Sequence, residues 1–128
     1  MSTPGSSIRY FSSNFNPICN LPEVSTWSFI FDDKATNIAD KKIYVDASTG
    51  ESLTRSELQS IARSFAYVLT HTMDLKQGDT LLLIASNSLF FPAVVLATQA
   101  AAVICSPANA LSTSSELVYQ ITDSGAKL

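Results

Sequence analysis

From Thr80 to Ser115 the chain runs for 36 residues without one charged side chain. All 19 charges lie outside that stretch: sixteen between Arg9 and Asp79, and Glu116, Asp123 and Lys127 after it. An uncharged run of this length belongs either in a membrane or in a protein interior. A spanning helix needs about 20 nearly unbroken apolar residues. The best window, Leu89 to Cys105, has 17 and contains Pro92, Thr98 and Gln99. Ser86-Asn87-Ser88 and Ser106-Pro107-Ala108-Asn109 bracket it and read as turns. The run is therefore read as the interior of an α/β domain, with no transmembrane span. A chain of 128 residues is long enough to bury a core of its own.

Periodicity fills in the elements. Ser25 or Thr26 caps a short helix through Trp27, Phe29, Ile30 and Phe31. Ile43-Tyr44-Val45 reads as a strand, and Ala47-Ser48-Thr49-Gly50 as a hairpin turn returning through Ser52-Leu53. Thr54-Arg55-Ser56-Glu57 has the form of a capping box. The helix it opens carries Leu58, Ile61, Ala62, Phe65 and Leu69 at helical spacing. Leu81 to Ala85 and Val103 to Cys105 are apolar runs without alternation, which predicts parallel strands covered on both faces. Leu89 to Ala102 is the right-handed crossover between them, capped by Asn87 or Ser88, with Pro92 near its first turn. Thr113-Ser114-Ser115-Glu116 repeats the capping box. Leu117, Val118 and Ile121 form the buried face of the helix that follows, and Gly125 ends it. Ala126-Lys127-Leu128 starts a further strand. The fold class is α/β, a β-hairpin followed by parallel strands with covering helices. Residues 1–22, rich in Ser, Pro and Asn, form an irregular leader, and residues 23–128 form an incomplete domain, the front of something longer.

The same residues exclude several chemistries. Charged residues make up 15% of the chain and hydrophobic ones 46%, which excludes disorder and coiled coils. Eight basic against eleven acidic residues give a net charge of −3, so there is no basic stripe for nucleic acid. The four glycines, Gly5, Gly50, Gly78 and Gly125, build neither a dinucleotide fingerprint nor a phosphate loop. His71 is the only histidine, which excludes a multi-histidine metal site, and it sits where a helix ends. Cys19 and Cys105 read as small apolar fillers in a reducing compartment. Met1 to Ser7 lacks a secretory signal, so the chain is expected to be intracellular. Asp32-Asp33 and the lone Asp46 suggest a phospho-acceptor receiver, but the segment from Lys34 to Val45 is too short for the elements a receiver needs. These acids are read as solvated turn residues.

From Gly78 onward the pattern becomes specific. Gly78-Asp79, the Leu81 to Ala85 strand, Ser86-Asn87-Ser88 and an uncharged helix come first. Then follow Ala101-Ala102-Val103, Ser106-Pro107-Ala108-Asn109, Ser112 to Leu117, Gln120 and Asp123 to Leu128. With Asp46 to Gly50 and Leu53 to Leu58 upstream, this order resembles the N-terminal lobe of the acyl-adenylate-forming, AMP-binding enzymes. That superfamily includes 4-coumarate–CoA ligases, acyl-CoA synthetases and firefly luciferase; the resemblance covers residues 22–128, and Ala108-Asn109 and Gln120 to Leu128 look most like the 4-coumarate–CoA ligase-like branch. Ala101 and Ala110 depart from the Gly and Pro common there.

The resemblance implies a carboxylic acid–CoA ligase. In that reaction the acid attacks the α-phosphate of ATP with Mg²⁺, and coenzyme A then displaces AMP. The family carries this chemistry on later segments: a phosphate loop ending in Pro-Lys-Gly, a Tyr-Gly-x-Thr-Glu segment, a ribose-binding Asp and a Lys of a mobile domain. None occurs here, so no catalytic, cofactor-binding or metal residue is assigned. ATP, Mg²⁺, coenzyme A and the acid belong to the full-length enzyme, and this chain alone is expected to be inactive. Its partner is the remainder of the ligase chain, without which exposed apolar surface favours self-association. The alternatives are a non-catalytic interaction module derived from the ligase lobe and an unrelated small α/β binding domain. Ala126-Lys127-Leu128 also resembles a Ser-Lys-Leu peroxisomal address with Ala for Ser, although directly after a helix cap it reads as a strand start. Cytoplasm and peroxisome are the expected locations.

Overall fold

The computed structural model describes residues 12–15, 21–32 and 38–128. Most of the expected leader, together with Cys19 and Asp33, lies outside those residues. The elements are α1 (Thr26–Phe31), β1 (Lys42–Val45), β2 (Ser52–Thr54), α2 (Arg55–Tyr67), β3 (Thr80–Ala85), α3 (Phe91–Ala100), β4 (Ile104–Asn109) and α4 (Ser114–Ser124). β1 and β2 form an antiparallel hairpin. β3 and β4 pair in parallel and in continuous register, from Thr80 opposite Ile104 to Ala85 opposite Asn109. The α/β class and the parallel pair are as the sequence predicts.

Local chemistry accounts for the helix starts. Ser25 Oγ accepts the Ser28 N–H at the head of α1. At α2 the Thr54 hydroxyl accepts the Glu57 N–H, and Glu57 accepts the Thr54 N–H in return. Thr113 and Glu116 repeat the arrangement at α4. Each reciprocal bond holds its glutamate below the usual carboxylate range, the Thr54 and Thr113 N–H groups being the main cause. α2 widens at its end into a π-helical turn, Val68–Thr72, closed by Met73 N–H to Val68 O.

The core lies between α2, α3 and the inner face of the β3–β4 pair. It contains Ala62, Leu69, Leu75, Leu81, Ala97 and Val103, with Leu83 and Leu96 against them. Ala62 and Ala97 are fully buried, and two alanines let α2 and α3 approach closely. Thr98, also fully buried, donates its hydroxyl to Val95 O. A smaller cluster of Phe31, Leu58 and Ala93 joins α1 to it. Arg55 fastens this corner: its guanidinium donates to Ile30 O at 2.6 Å and lies over the Phe31 ring at 5.5 Å. Arg63 lies 5.8 Å from the Trp27 ring centroid.

Several expectations change. α3 begins at Phe91 with Phe90 as a cap that makes no side-chain bond, so neither Asn87 nor Ser88 caps it. Pro92, in the helix's first turn, lacks an N–H where a helix has none to use, which sets the start closer to it. Ser106 to Asn109 is not a turn but the last four residues of β4, because pairing with Leu82 to Ala85 outweighs its turn-like composition. The strands are not covered on both faces. α4 touches β3 and β4 but contributes no residue to either core cluster, so it lies over the outer face. No α4 residue is fully buried, and Val118, Ile121, Ile84 and Ile104 are 45–62% exposed. Ala126 to Leu128 forms no assigned strand, yet it lies along β3: Lys127 N–H donates to Thr80 O and Leu82 N–H to Leu128 O.

Ala101, the departure noted above, has an ordinary φ of −84°, and the strained residue is the next one, Ala102, at φ 55°. Its carbonyl accepts the N–H of Gly78, itself at φ 83°. Ala102→Gly should raise stability by roughly 0.5–1 kcal/mol, the relief of left-handed strain less the entropy glycine adds to the unfolded chain. Leu69→Ala, at a fully buried site, should lower it by about 2–5 kcal/mol. Urea denaturation of both variants checks the opposite signs.

Candidate functional site

In an open α/β sheet, ligands gather at the carboxyl ends of the strands. Here the ends of β3 and β4 open into a crevice of about 540 Å³ lined by residues including Ala85, Ser86, Asn87, Phe91, Asn109 and Leu111. None of its lining residues carries a charge. Asn109 is already engaged: its Oδ1 accepts the Leu111 N–H and its carbonyl accepts the Ser112 N–H, both at 3.0 Å. Ser86 and Asn87 remain as neutral hydrogen-bonding groups. Such a crevice can hold a neutral or apolar group. It supplies nothing that balances a triphosphate, so the residues present do not fit ATP with its metal.

Of the acids named in the sequence, Asp32 and Asp46 sit elsewhere. Asp32 is the C-cap residue of α1. Asp46 folds the hairpin turn, where its Oδ1 accepts from Ser48 Oγ at 2.6 Å, Ser48 N at 2.8 Å and Thr49 N at 3.1 Å. Those bonds, led by the Ser48 hydroxyl, hold its carboxyl below the usual range. His71 stacks on Tyr67 with centroids 4.0 Å apart, and its Nδ1 lies 2.8 Å from Thr70 Oγ1. Cys105 is half-buried and unpaired, and burial pushes its thiol up, away from the reactive thiolate. Among the described residues no three His, Cys, Asp or Glu side chains gather to hold a metal. None of their helices is long and apolar enough to cross a membrane.

One arrangement was not legible from spacing. Asp79, at the amino end of β3, receives Lys127 Nζ at 2.6 Å and the Lys76 N–H at 2.8 Å. Its side chain is only 12% exposed. The ion pair pins Ala126 to Leu128 beside β3, next to the bond from Lys127 N–H to Thr80 O. Only the opposite signs of Asp79 and Lys127 hinted at it, and 47 residues separate them.

Chiefly the bond from Lys127, then that from Lys76, holds the Asp79 carboxyl below its ordinary value. A lowered carboxylate stabilises the fold above its unfolded pKa, and the contribution disappears as pH falls through the lowered folded value. Protection of the Lys127 amide should therefore be level from neutral pH down to about 4 and fall below that. Asp79→Asn should speed its exchange at neutral pH and flatten the acid limb. Amide exchange followed by NMR measures both.

The model of the "AMP-binding enzyme" family matches residues 31–128. Among curated proteins, 4-coumarate–CoA ligase-like 3 of Arabidopsis thaliana is 32% identical over 122 residues, covering 92% of this chain and 21% of the relative. Peroxisomal OPC-8:0-CoA ligase 1 of the same plant is 38% identical over 85 residues, 66% of this chain and 15% of the relative. Among solved structures, apo MatB from Rhodopseudomonas palustris superposes with a TM-score of 0.71 at 29% identity. Its ATP-bound form gives 0.69 at 28%, and each match covers 79% of this chain and 19% of that one. The chain thus spans about a fifth of the length of these proteins.

Proposed function

Because the chain belongs to the AMP-binding enzyme family, we propose that it is the N-terminal scaffold of an ATP-dependent carboxylic acid–CoA ligase. The observation that carries this is the match of residues 31–128 to the family, together with relatives named as CoA ligases. Family membership sets aside the unrelated α/β binding domain. Residues 23–128 are the front of the lobe, and residues 1–22 a leader before it.

On this reading the chain supplies position and not chemistry. The full-length enzyme joins a carboxylic acid to AMP at the expense of ATP and passes the acyl group to the thiol of coenzyme A. Its nucleotide, its Mg²⁺ and its acid are held by segments outside these residues, and this chain alone is inactive. What the chain contributes is the β3–α3–β4 unit and its clamp of α1, α2 and the hairpin. The outer face around Ile84, Ile104, Val118 and Ile121 is where the remainder of the ligase docks. Without that cover, copies of the chain associate through the same face. The 4-coumarate–CoA ligase-like branch is the proposed affiliation, with cytoplasm or peroxisome as the compartment.

The test is the mass of the native product, detected with an antibody against residues 38–128. The proposal predicts a polypeptide roughly four to five times this chain's length, in keeping with the 21% coverage of the Arabidopsis ligase-like protein. A native product of 13.8 kDa that accumulates without ligase-sized protein would overturn it in favour of a non-catalytic interaction module.

A further inference from the structure

Hydrogen-bond parity around the parallel pair separates its two edges. Ile104 N–H donates to Asp79 O, so the backbone groups of Ile104, Ser106 and Ala108 turn toward β3. Those of Cys105, Pro107 and Asn109 turn outward. β4 has β3 as its only strand partner among the described residues. Its outward edge is incomplete in two places. Pro107 has no N–H to offer, and the Asn109 carbonyl is taken by Ser112 N–H at 3.0 Å. A proline is tolerated in a paired strand only where its nitrogen faces away from the partner, and Pro107 occupies such a position.

The far edge of β3 is the reverse. Thr80 O and Leu82 N–H point away from β4 and are already bonded by Lys127 and Leu128. By the same alternation Ile84 turns its N–H and C=O to that side, and no proline interrupts Thr80 to Ala85. The Asp79–Lys127 ion pair fixes where chain can enter there.

We propose that Pro107 closes the outer edge of β4 to strand addition, so that this sheet grows only along β3, from the segment that begins at Ala126. β4 is then a terminal strand. A second copy of the chain reaches this unit through the apolar α4 side and not edge to edge. The device matters because an open parallel edge is otherwise a template for unwanted pairing.

Amide exchange of the 128-residue chain over a range of protein concentrations tests this. Ile104, Ser106 and Ala108 should be protected, whereas Cys105 and Asn109 should exchange freely at every concentration. Pro107→Val restores the missing donor, and should give the Cys105 and Asn109 amides concentration-dependent protection on the order of tenfold or more. Wild-type protection of Cys105 and Asn109 that rises with concentration would overturn the proposal, even were the variant not to fold. So would a folded Pro107→Val chain whose two amides stay as fast as wild type at high concentration.

Discussion

The register of β3 on β4 is the constraint on which the other elements depend. Parallel strands cannot be joined by a tight turn, so the chain must cross one face of the pair before it can pair again. α3 makes that crossing and buries Ala93, Ala97 and Thr98 as it does. A charge anywhere on its inner side would need a partner that the interior lacks. The uncharged run from Thr80 to Ser115 is thus the sequence form of the topology. α2 closes over α3 through Ala62 and Leu69, and the hairpin feeds α2 at the right angle because Arg55 N–H and Ser56 N–H are bonded to Lys41 O and Ala39 O. α1 completes the layer through Phe31 and the Arg55 guanidinium.

What could be read from the sequence was what local chemistry determines. Both capping boxes, the Asp46 turn and the helix stop at Gly125, with φ 60°, involve residues a few positions apart. The buried stripe of α2 was equally plain, because Leu58 and Ala62 recur at helical spacing and Leu69 continues it in the π-helical turn. The misreadings share a cause in tertiary structure. Ser106-Pro107-Ala108-Asn109 has turn composition, but pairing with Leu82 to Ala85 of β3 imposes a strand on it. The apolar face of α4 was expected to be buried. It lies over a sheet face that α4 alone is too narrow to cover, and Val118 stays 62% exposed. The Asp79–Lys127 pair bridges two segments that only the fold brings together.

No motif in the sequence points to the crevice at the strand ends, which exists only once β3 and β4 pair. The crevice at the strand ends is neutral, while Asp46 is committed to a turn and Asp32 lies at a helix end. The chain belongs to the AMP-binding enzyme family through residues 31–128. It spans about a fifth of the length of the Arabidopsis relative, and a functional site is held best by residues carried on rigid helices and strands. The exposed isoleucines and the half-covered α4 leave an apolar surface of the kind that marks an interaction site.

The central claim is that these residues position chemistry without performing it. Exchange of labelled pyrophosphate into ATP by the purified 128-residue chain, with Mg²⁺ and a panel of aromatic and aliphatic carboxylic acids, tests it most directly. No exchange above the protein-free rate is predicted for any acid. Acid-dependent exchange that co-purifies with the chain would contradict the account.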